Sequence, residues 1–185
     1  DGAYHRGGAI NPNAEGLIGR VGVLASAARV AGVPIIATRF TIVPGPDGEP
    51  MIAEHLRRLR PFLRAGDFSE NSWGHEVVSQ LQPVDGVVDK VVYSAFQNTR
   101  LEWLLRNWGI HHLLVAGIVT NGGVASTVRD AHSRGFATSV VGECCSAFDV
   151  LVHDATLLSL GGVATVIDSA GALTMISEHS GGTRR

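Results

Sequence analysis

A predicted strand, a tight turn and a helix start follow one another in Val115-Ala116-Gly117-Ile118-Val119-Thr120-Asn121-Gly122-Gly123-Val124. The apolar first half is typical of a buried strand, and the paired glycines allow a sharp turn. A helix that begins after such a turn presents backbone N–H groups and the positive end of its dipole, which together favour an anion or oxyanion. A Gly-Gly turn that serves the fold alone is the alternative interpretation. The N–H groups around Gly122 and Gly123 are the candidate anion cradle, and Val119 and Thr120 at the end of the strand are expected to shape it.

The second unusual residue is Lys90, in Val88-Asp89-Lys90-Val91-Val92-Tyr93-Ser94-Ala95-Phe96. It lies inside an apolar predicted strand, where an unpaired ammonium is costly to bury. One interpretation is a lysine near a carboxylate that serves as a charge or proton partner in a closed pocket. The other is a lysine that snorkels from a strand edge. Ligands of open parallel sheets bind beyond the carboxyl ends of the strands, which is where both segments are expected to end.

Helices and strands alternate along the chain, which is typical of a parallel sheet covered by helices on both faces. The predicted helices are 13–31, 51–59, 75–81, 99–108, 121–134 and 149–160. The predicted strands are 33–40, 87–92, 113–118, 137–141 and 163–167. We therefore predict an α/β fold, a three-layer αβα arrangement around a doubly wound, Rossmann-like sheet. Because the chain opens on loop-like residues, the first central strand is expected upstream of residue 1.

Composition limits the function classes. The 185 residues suit one domain, and 45% hydrophobic with 17% charged residues is typical of a folded protein. A net charge of -2 makes nucleic acid and anionic membranes poor partners. The apolar runs are shorter than the roughly 20 residues that span a bilayer, and no signal segment opens the chain. The adjacent Cys144 and Cys145 exclude a disulfide framework, so a reducing, cytoplasmic setting is predicted.

Taken together, several motifs closely resemble the isochorismatase-like family of hydrolases. One contains Lys90, Tyr93-Ser94-Ala95-Phe96, Thr99 and Leu101-Glu102, followed by Gly109-Ile110. Another contains Gly117, Thr120-Asn121, Val124, Ser126-Thr127 and Arg129-Asp130-Ala131. Early segments of the family are similar to Asp1-Gly2-Ala3, Gly7-Gly8, Ala31-Gly32-Val33-Pro34 and Thr38-Arg39. The resemblance implies one hydrolase domain over residues 1–175, with a polar tail at 176–185.

The resemblance also implies an Asp-Lys-Cys triad, in which a thiolate attacks an amide, carbamoyl or related carbonyl. Lys90 matches the family lysine. The position of the nucleophile, seven residues before Asp130, is occupied by Gly123, which has no side chain to attack with. The triad aspartate is expected just upstream of Asp1. Asp1 itself is the alternative, and it requires a shortened loop.

Three explanations for Gly123 stay open. The family's true isochorismatases also have glycine there and hydrolyse a vinyl ether without a covalent intermediate. A degenerate relative would bind a ligand or partner without turnover, and an inactivated variant of a cysteine amidohydrolase would have lost its cysteine. The segments 119–121 and 126–130 are more similar to the amide-cleaving branch. We predict a hydrolase of a small organic acid, amide or vinyl ether that forms no thioester, with the two inactive forms as alternatives.

Several aromatic residues and the two cysteines could have either functional or structural roles. Trp73, Tyr93 and Phe96 are candidate walls of the substrate pocket, as aromatics are in the family. Cys144 and Cys145 are interpreted as buried structural residues, with a displaced nucleophile as the alternative. Nicotinamidase-like relatives bind a metal through an Asp-x-His segment that residues 39–44 lack, so neither metal nor cofactor is predicted. By analogy with the family, a homo-oligomer (dimer or tetramer) is expected.

Overall fold

A computed structural model describes residues 14–182 of the chain. The helices are α1 (Ala14–Ala31), α2 (Glu54–Leu59), α3 (Leu101–Asn107), α4 (Ala125–Ser133), α5 (Val150–Leu160) and α6 (Ser169–Gly182). The strands are β1 (Ile36–Phe40), β2 (Gly86–Lys90), β3 (His112–Ile118), β4 (Ala137–Ser146) and β5 (Thr165–Ile167). The predictions that concern Asp1 and the residues up to Gly8 lie outside the described range.

Five strands lie within residues 14–182, all of them parallel, and their hydrogen bonds group them into a two-stranded and a three-stranded sheet. Strands β1 and β2 pair from Ile36 opposite Gly86 to Phe40 opposite Lys90. The second sheet has the order β3-β4-β5. Side chains link the two sheets, because Val88 of β2 lies in a buried cluster against which Leu113 of β3 packs. The α/β class with helix-flanked parallel sheets is confirmed.

A bulge interrupts the pairing of β3 with β4 immediately before the predicted site. The register shifts between Val115 and Gly117, and Gly117 has a φ of 128°, a conformation that side chains rarely adopt. Bulges of this kind bend a strand and redirect the residues that follow. The end of β3 is thereby aimed at the turn before α4. The peptide bond between Ile118 and Val119 is cis.

Helices α1 and α6 pack together beside β4. Leu24 of α1, Val141 and Cys144 of β4, and Ala172 and Ile176 of α6 form one buried cluster. Apolar residues four positions apart, such as Ala172 and Ile176, place one helix face in this core. The helix continues through residue 176 to Gly182, and the predicted boundary between the domain and a polar tail stays a prediction.

Residues 75–81 do not form the predicted helix. Two short 3-10 turns, Trp73–His75 and Ser79–Leu81, occupy this region, and Glu76 and Gln82 after them are extended. Gln82 precedes Pro83, whose ring disfavours helical backbone at the residue before it. The β-branched Val77 and Val78 between the two turns also resist a helix.

Among residues 14–182, no helix has both the length and the apolar character needed to cross a membrane.

Candidate active site

Lys90 is the last residue of β2, at the carboxyl end of the two-stranded sheet. Its side chain is buried, with 8% of the residue surface exposed. The ammonium donates a hydrogen bond to the Val92 carbonyl at 3.2 Å and lies 5.6 Å from the centre of the Phe40 ring. The amine therefore lies inside the protein and does not snorkel into solvent. Lys90 is also the only lysine in the sequence.

The environment of Lys90 makes its charged form less favourable than it is in water. Burial lowers the pKa of the Lys90 amine below its ordinary value of 10.5. The neighbouring Asp89 does not offset this, because a hydrogen bond from Arg39 at 2.7 Å holds the pKa of that carboxyl below its usual range. Within the described part of the chain, no carboxylate forms an ion pair with Lys90. A neutral buried amine is suited to accept a proton.

The predicted glycine turn is a short π-helical segment, Thr120–Val124, that leads into α4. The Gly122 amide donates to the Val119 carbonyl at 3.1 Å, so this N–H is already engaged and is not the bare donor that was expected. A Cβ at Gly122 would lie 3.0 Å from the Val119 side chain, which is tighter than ordinary contact. Gly122 therefore permits close packing of the turn rather than supplying a hydrogen bond to an anion.

Gly123 has a different environment from Gly122. A Cβ built at Gly123 would lie 3.6 Å from the Lys90 amine, 3.6 Å from the Tyr93 carbonyl and 3.8 Å from the Ile118 carbonyl. All three are ordinary van der Waals distances, so a side chain fits at this position beside Lys90. The structure thus brings together the lysine and the position that the family resemblance assigns to the nucleophile.

A cavity of about 60 Å³ lies in front of these two residues. One side is formed by residues at the carboxyl ends of β2 and β3 and in the turn, namely Lys90, Tyr93, Ile118, Val119 and Gly123. The opposite side is formed by Phe40, Leu56, Arg60, Leu63 and Phe68. The wall is mainly apolar with a few polar groups, which is the usual character of a small-molecule site.

Three predicted pocket residues lie away from the cavity wall. Phe96 is buried in the core, 5.7 Å from Phe136 between ring centres, and packs there instead of facing a ligand. Trp73 is 82% exposed on its 3-10 turn. Thr120 is fully buried behind the turn, where its hydroxyl shares a hydrogen bond of 2.8 Å with His153.

The two cysteines lie within β4, because that strand continues to Ser146 instead of ending near Val141. Both are buried. Burial raises the pKa of the Cys144 thiol, and it raises the pKa of Cys145 to about 12. A thiol with a raised pKa is a poor nucleophile at neutral pH, since the thiolate is the reactive form. The geometry favours a structural role over a displaced nucleophile.

Arg60, Leu56, Leu63 and Phe68 line the cavity, and none of them was identified from the sequence. They come from α2 and the loop after it, a region whose position depends on long-range packing. The available signal was the run from Leu56 to Arg64, in which arginines alternate with apolar residues. Such a run also fits an exposed helix, so it did not indicate a ligand site.

A metal site is not apparent among residues 14–182, where no three His, Cys, Asp or Glu side chains are grouped as ligands. The buried His75 shares a 2.7 Å hydrogen bond with the Thr41 hydroxyl and lies 3.5 Å from the Asp89 carboxylate. The prediction that the protein needs no metal or cofactor stays a prediction.

Comparisons with known proteins agree with this geometry. The Isochorismatase domain family matches residues 2–171. The chain belongs to the isochorismatase family. It is 34% identical over 151 residues to the ureidoacrylate amidohydrolase RutB of Pantoea ananatis, covering 76% of this chain and 56% of that protein. Against RutB of Agrobacterium fabrum the identity is 32% over 177 residues, covering 87% of this chain and 78% of the relative.

Solved structures show the same family fold. A cysteine hydrolase from Pseudomonas syringae pv. phaseolicola superimposes with a TM-score of 0.80 and 25% identity, covering 92% of this chain and 84% of that one. The chain spans little more than half the length of the Pantoea relative. The fold of the chain and its membership of this hydrolase family are thus established.

Replacing Lys90 with Met is expected to stabilise the fold at pH 7. The pKa of the Lys90 amine is lower in the folded chain than in the unfolded one. At pH values below the folded pKa, the proton bound to Lys90 therefore reduces the free energy of unfolding. This loss of stability diminishes as pH rises through the folded pKa towards 10.5, and a methionine at this position does not cause it. Urea unfolding at pH 7 and pH 10 measures the effect as a stability difference that narrows at the higher pH.

The control for this experiment is Arg58→Met, because the Arg58 side chain is 74% exposed and needs no desolvation. The difference in free energy of unfolding between Arg58→Met and the parent chain should therefore be similar at pH 7 and pH 10. A Lys90→Met difference that is unchanged between the two pH values would contradict the assigned electrostatic cost.

Proposed function

We propose that this protein is a hydrolase that cleaves the C–N bond of a small amide or carbamoyl compound, with Lys90 as the proton carrier. The observation that supports it most directly is the 3.6 Å distance between the buried Lys90 amine and the side-chain position at Gly123. The relatives support the choice of an amide, since the curated ones are named ureidoacrylate amidohydrolases. A vinyl ether is the second bond type to be tested, because a glycine at the nucleophile position also resembles the true isochorismatases.

The proposed nucleophile is water held beside Gly123. The space in front of this glycine is bordered by the Lys90 amine and by the Tyr93 and Ile118 carbonyls, which together offer hydrogen-bond partners of both kinds. A bound water needs two to four such partners. Neutral Lys90 accepts a proton as the water oxygen attacks the carbonyl carbon. The C–N bond then breaks, and Lys90 returns the proton to the leaving nitrogen.

The helix start stabilises the oxyanion in this scheme. The Thr120–Val124 segment and α4 place the positive end of a helix dipole at the cavity. Gly122 contributes close packing, while Val119 and Tyr93 shape the wall. The aspartate that the family resemblance implies falls outside the described residues, and no proton is assigned to it. No thioester forms, because Gly123 has no thiol.

Turnover of a substrate panel by the whole chain tests this proposal. Isochorismate, primary amides and N-carbamoyl compounds are incubated with the protein, and ammonia or acid release is followed. We expect slow hydrolysis of at least one amide or carbamoyl compound. Lys90→Met should reduce it by about 10²-fold or more, the usual loss when a general base is removed. Lys90→Arg places a permanently protonated guanidinium there, which cannot accept the proton of the water, so it should be equally inactive.

A second candidate function is ligand binding without turnover, which the absence of a nucleophilic side chain at Gly123 favours. Calorimetric binding of an amide that stays intact after prolonged incubation would support this candidate and contradict the hydrolase. Loss of isochorismate, but of no amide, would instead support the vinyl ether chemistry.

The cellular setting is proposed on separate grounds. The buried, unpaired thiols of Cys144 and Cys145 suit a reducing, cytoplasmic location. Exposed apolar side chains on α5, including Leu151 and Leu158, suit burial between copies of the chain in a homo-oligomer. Light scattering during size-exclusion chromatography measures the oligomeric state. The proposed partner is a small molecule, and neither nucleic acid nor membrane.

A further inference from the structure

The glycine turn carries Gly123 into the cavity wall, yet it has few side chains that could hold it in place. Gly122 and Gly123 have none, and Asn121 is exposed. The Val124 side chain is buried among apolar neighbours, and such contacts have no preferred direction. The Thr120 hydroxyl is therefore the group in this turn that can fix its orientation through a directional bond.

Thr120 makes that bond with His153 of α5. The threonine is fully buried, and its hydroxyl lies 2.8 Å from Nδ1 of the imidazole. Among the described residues, this is the one side-chain hydrogen bond between the turn and α5. The start of α5 is itself fixed, because the Asp149 side chain accepts a hydrogen bond from the Leu151 amide at 2.7 Å. The imidazole, one helical turn after this cap, thus has a well-defined position.

The turn transmits any movement of the threonine hydroxyl to Gly123. The Val119 carbonyl accepts hydrogen bonds from the amides of Gly122 and Val124, at 3.1 and 3.3 Å, on either side of Gly123. The turn is closed on itself by these bonds and is placed as one unit. Gly123 and Lys90 line the cavity, whereas the threonine and the histidine are not part of its wall. A change at the threonine–histidine pair would therefore alter the placement of the turn relative to Lys90 without removing a group from the cavity.

We propose that His153 is a positioning residue for the hydrolytic reaction, which acts through Thr120 to hold the glycine turn where Gly123 lies beside Lys90. Neither the imidazole nor the threonine hydroxyl touches the substrate. Misplacement of reacting groups by about 1 Å can cost about 10²-fold in rate, so a bond behind the site can strongly affect turnover. The inference rests on the proposed function, because it assumes that the turn and Lys90 act together on one substrate.

The test changes the hydrogen bond to Nδ1 and little else. Thr120→Val removes the hydroxyl and nearly keeps the shape of the side chain, whereas Thr120→Ser keeps the hydroxyl. In His153→Asn an amide atom takes the place of Nδ1, and in His153→Gln the amide lies where Nε2 was. We expect Thr120→Val and His153→Gln to lower kcat for an amide by about tenfold or more and to leave KM near the parent value. Thr120→Ser and His153→Asn should keep most of the parent kcat.

A second readout does not require turnover. Gly123→Cys introduces a thiol beside Lys90, and its alkylation by iodoacetamide reports how readily the lysine takes the proton and stabilises the thiolate. Adding Thr120→Val should raise the pH midpoint of alkylation by about one unit and so slow the reaction at pH 7 by about tenfold. Adding Thr120→Ser should have little effect. The parent chain gives the background from Cys144 and Cys145, which are buried.

The matched control is Thr156→Val, which removes a threonine hydroxyl from the same helix. That hydroxyl donates to the Val152 carbonyl at 2.7 Å, a bond within α5 itself. The control should leave kcat and the alkylation rate as they are. All rates are measured at a temperature at which circular dichroism shows each variant to be folded.

Three results would overturn the inference. One is a loss of stability in Thr120→Val and His153→Gln with unchanged rates per folded molecule, which is the result of a purely structural bond. Another is a raised KM with an unchanged kcat, since it would mean that the pair acts on substrate binding. The third is an equal loss of kcat in His153→Asn and His153→Gln, because the bond to Nδ1 would then not be the cause.

The two proposals fail in different ways. Amide turnover and thiol alkylation that are both insensitive to Thr120→Val would sink the positioning role and leave the hydrolase intact. Thiol alkylation that depends on the Thr120 hydroxyl, with no turnover of any amide or carbamoyl compound, would sink the hydrolase and leave the placement of the turn by His153.

Discussion

Gly123→Cys is expected to convert slow, water-based turnover into rapid amide hydrolysis through a covalent intermediate. The Cβ of the new residue would lie 3.6 Å from the Lys90 amine, so the thiol would be next to a proton acceptor. Once Lys90 has taken the thiol proton, the resulting ammonium stabilises the thiolate. We expect a rate at least about 10²-fold above that of Gly123→Ala, since the loss of a nucleophile typically costs more than this.

The chemistry of the Gly123→Cys protein is specific enough to be followed directly. The thiolate attacks the carbonyl carbon, the amine leaves with a proton from Lys90, and water then hydrolyses the thioester. Mass spectrometry of a quenched reaction should show an acyl group on residue 123. Cys144 and Cys145 should stay unmodified, because burial raises the pKa of each thiol.

Three variants make the result of this experiment decisive. Gly123→Ala fills the same space without a thiol, and it should not exceed the parent rate. Gly122→Cys moves the thiol by one residue to a position where its Cβ approaches Val119 at 3.0 Å, and it should give no gain. Adding Lys90→Met to Gly123→Cys should abolish the gain. A folded Gly123→Cys protein that binds amides but reacts no faster than Gly123→Ala would refute the placement of the nucleophile.

The centre of the site was predictable because its determinants are local in the sequence. A parallel strand must end at the same sheet edge as its neighbours, so a lysine at the end of one strand and a turn after another are brought together. This reasoning placed Lys90 and Gly123 in one region, and both residues line the same cavity in the structure. The fold class followed from the alternation of apolar runs with helical periodicity in the same way.

The outer wall of the cavity was not predictable, because it depends on packing between distant segments. Arg60 and Phe68 lie in the segment that follows α2, whose position depends on contacts with distant residues, such as the contact between Phe68 and Phe40. The hydrogen-bond status of the Gly122 amide was missed for a related reason. A glycine-rich turn before a helix indicates available N–H groups, but the π-helical geometry of this turn returns that donor to Val119.

Strand and helix ends were also set by contacts that a local pattern does not contain. Strand β4 continues past Val141 to Ser146 because the bulged end of β3 pairs with it, with Gly117 opposite Cys145. Helix α6 extends beyond residue 176 because Ile176 packs into the cluster that contains Leu24. In both cases a partner far away in sequence stabilises residues whose own composition favours a loop.

Leu160→Ala is expected to cause the largest loss of stability among simple truncations in α5. Leu160 is fully buried at the end of this helix, in the cluster that contains Val128 of α4 and Val140 of β4. Truncating a buried leucine removes its transfer free energy and leaves a cavity, which together cost about 3 kcal/mol. For a chain of this size, the midpoint of thermal unfolding should fall by about 6–12 °C.

Leu158→Ala is the matched control, since the same truncation is made on the same helix at a side chain that is 84% exposed. Alanine has a higher helix propensity than leucine, so this change should leave stability within about 0.5 kcal/mol. Calorimetry and urea unfolding at one pH measure both variants.

The cluster of Leu160 also contains Val124, which ends the turn that carries Gly123. Loosening this cluster by Leu160→Ala should therefore also weaken the binding of amide ligands. Equal losses of stability in Leu160→Ala and Leu158→Ala would contradict the burial of Leu160 in this cluster.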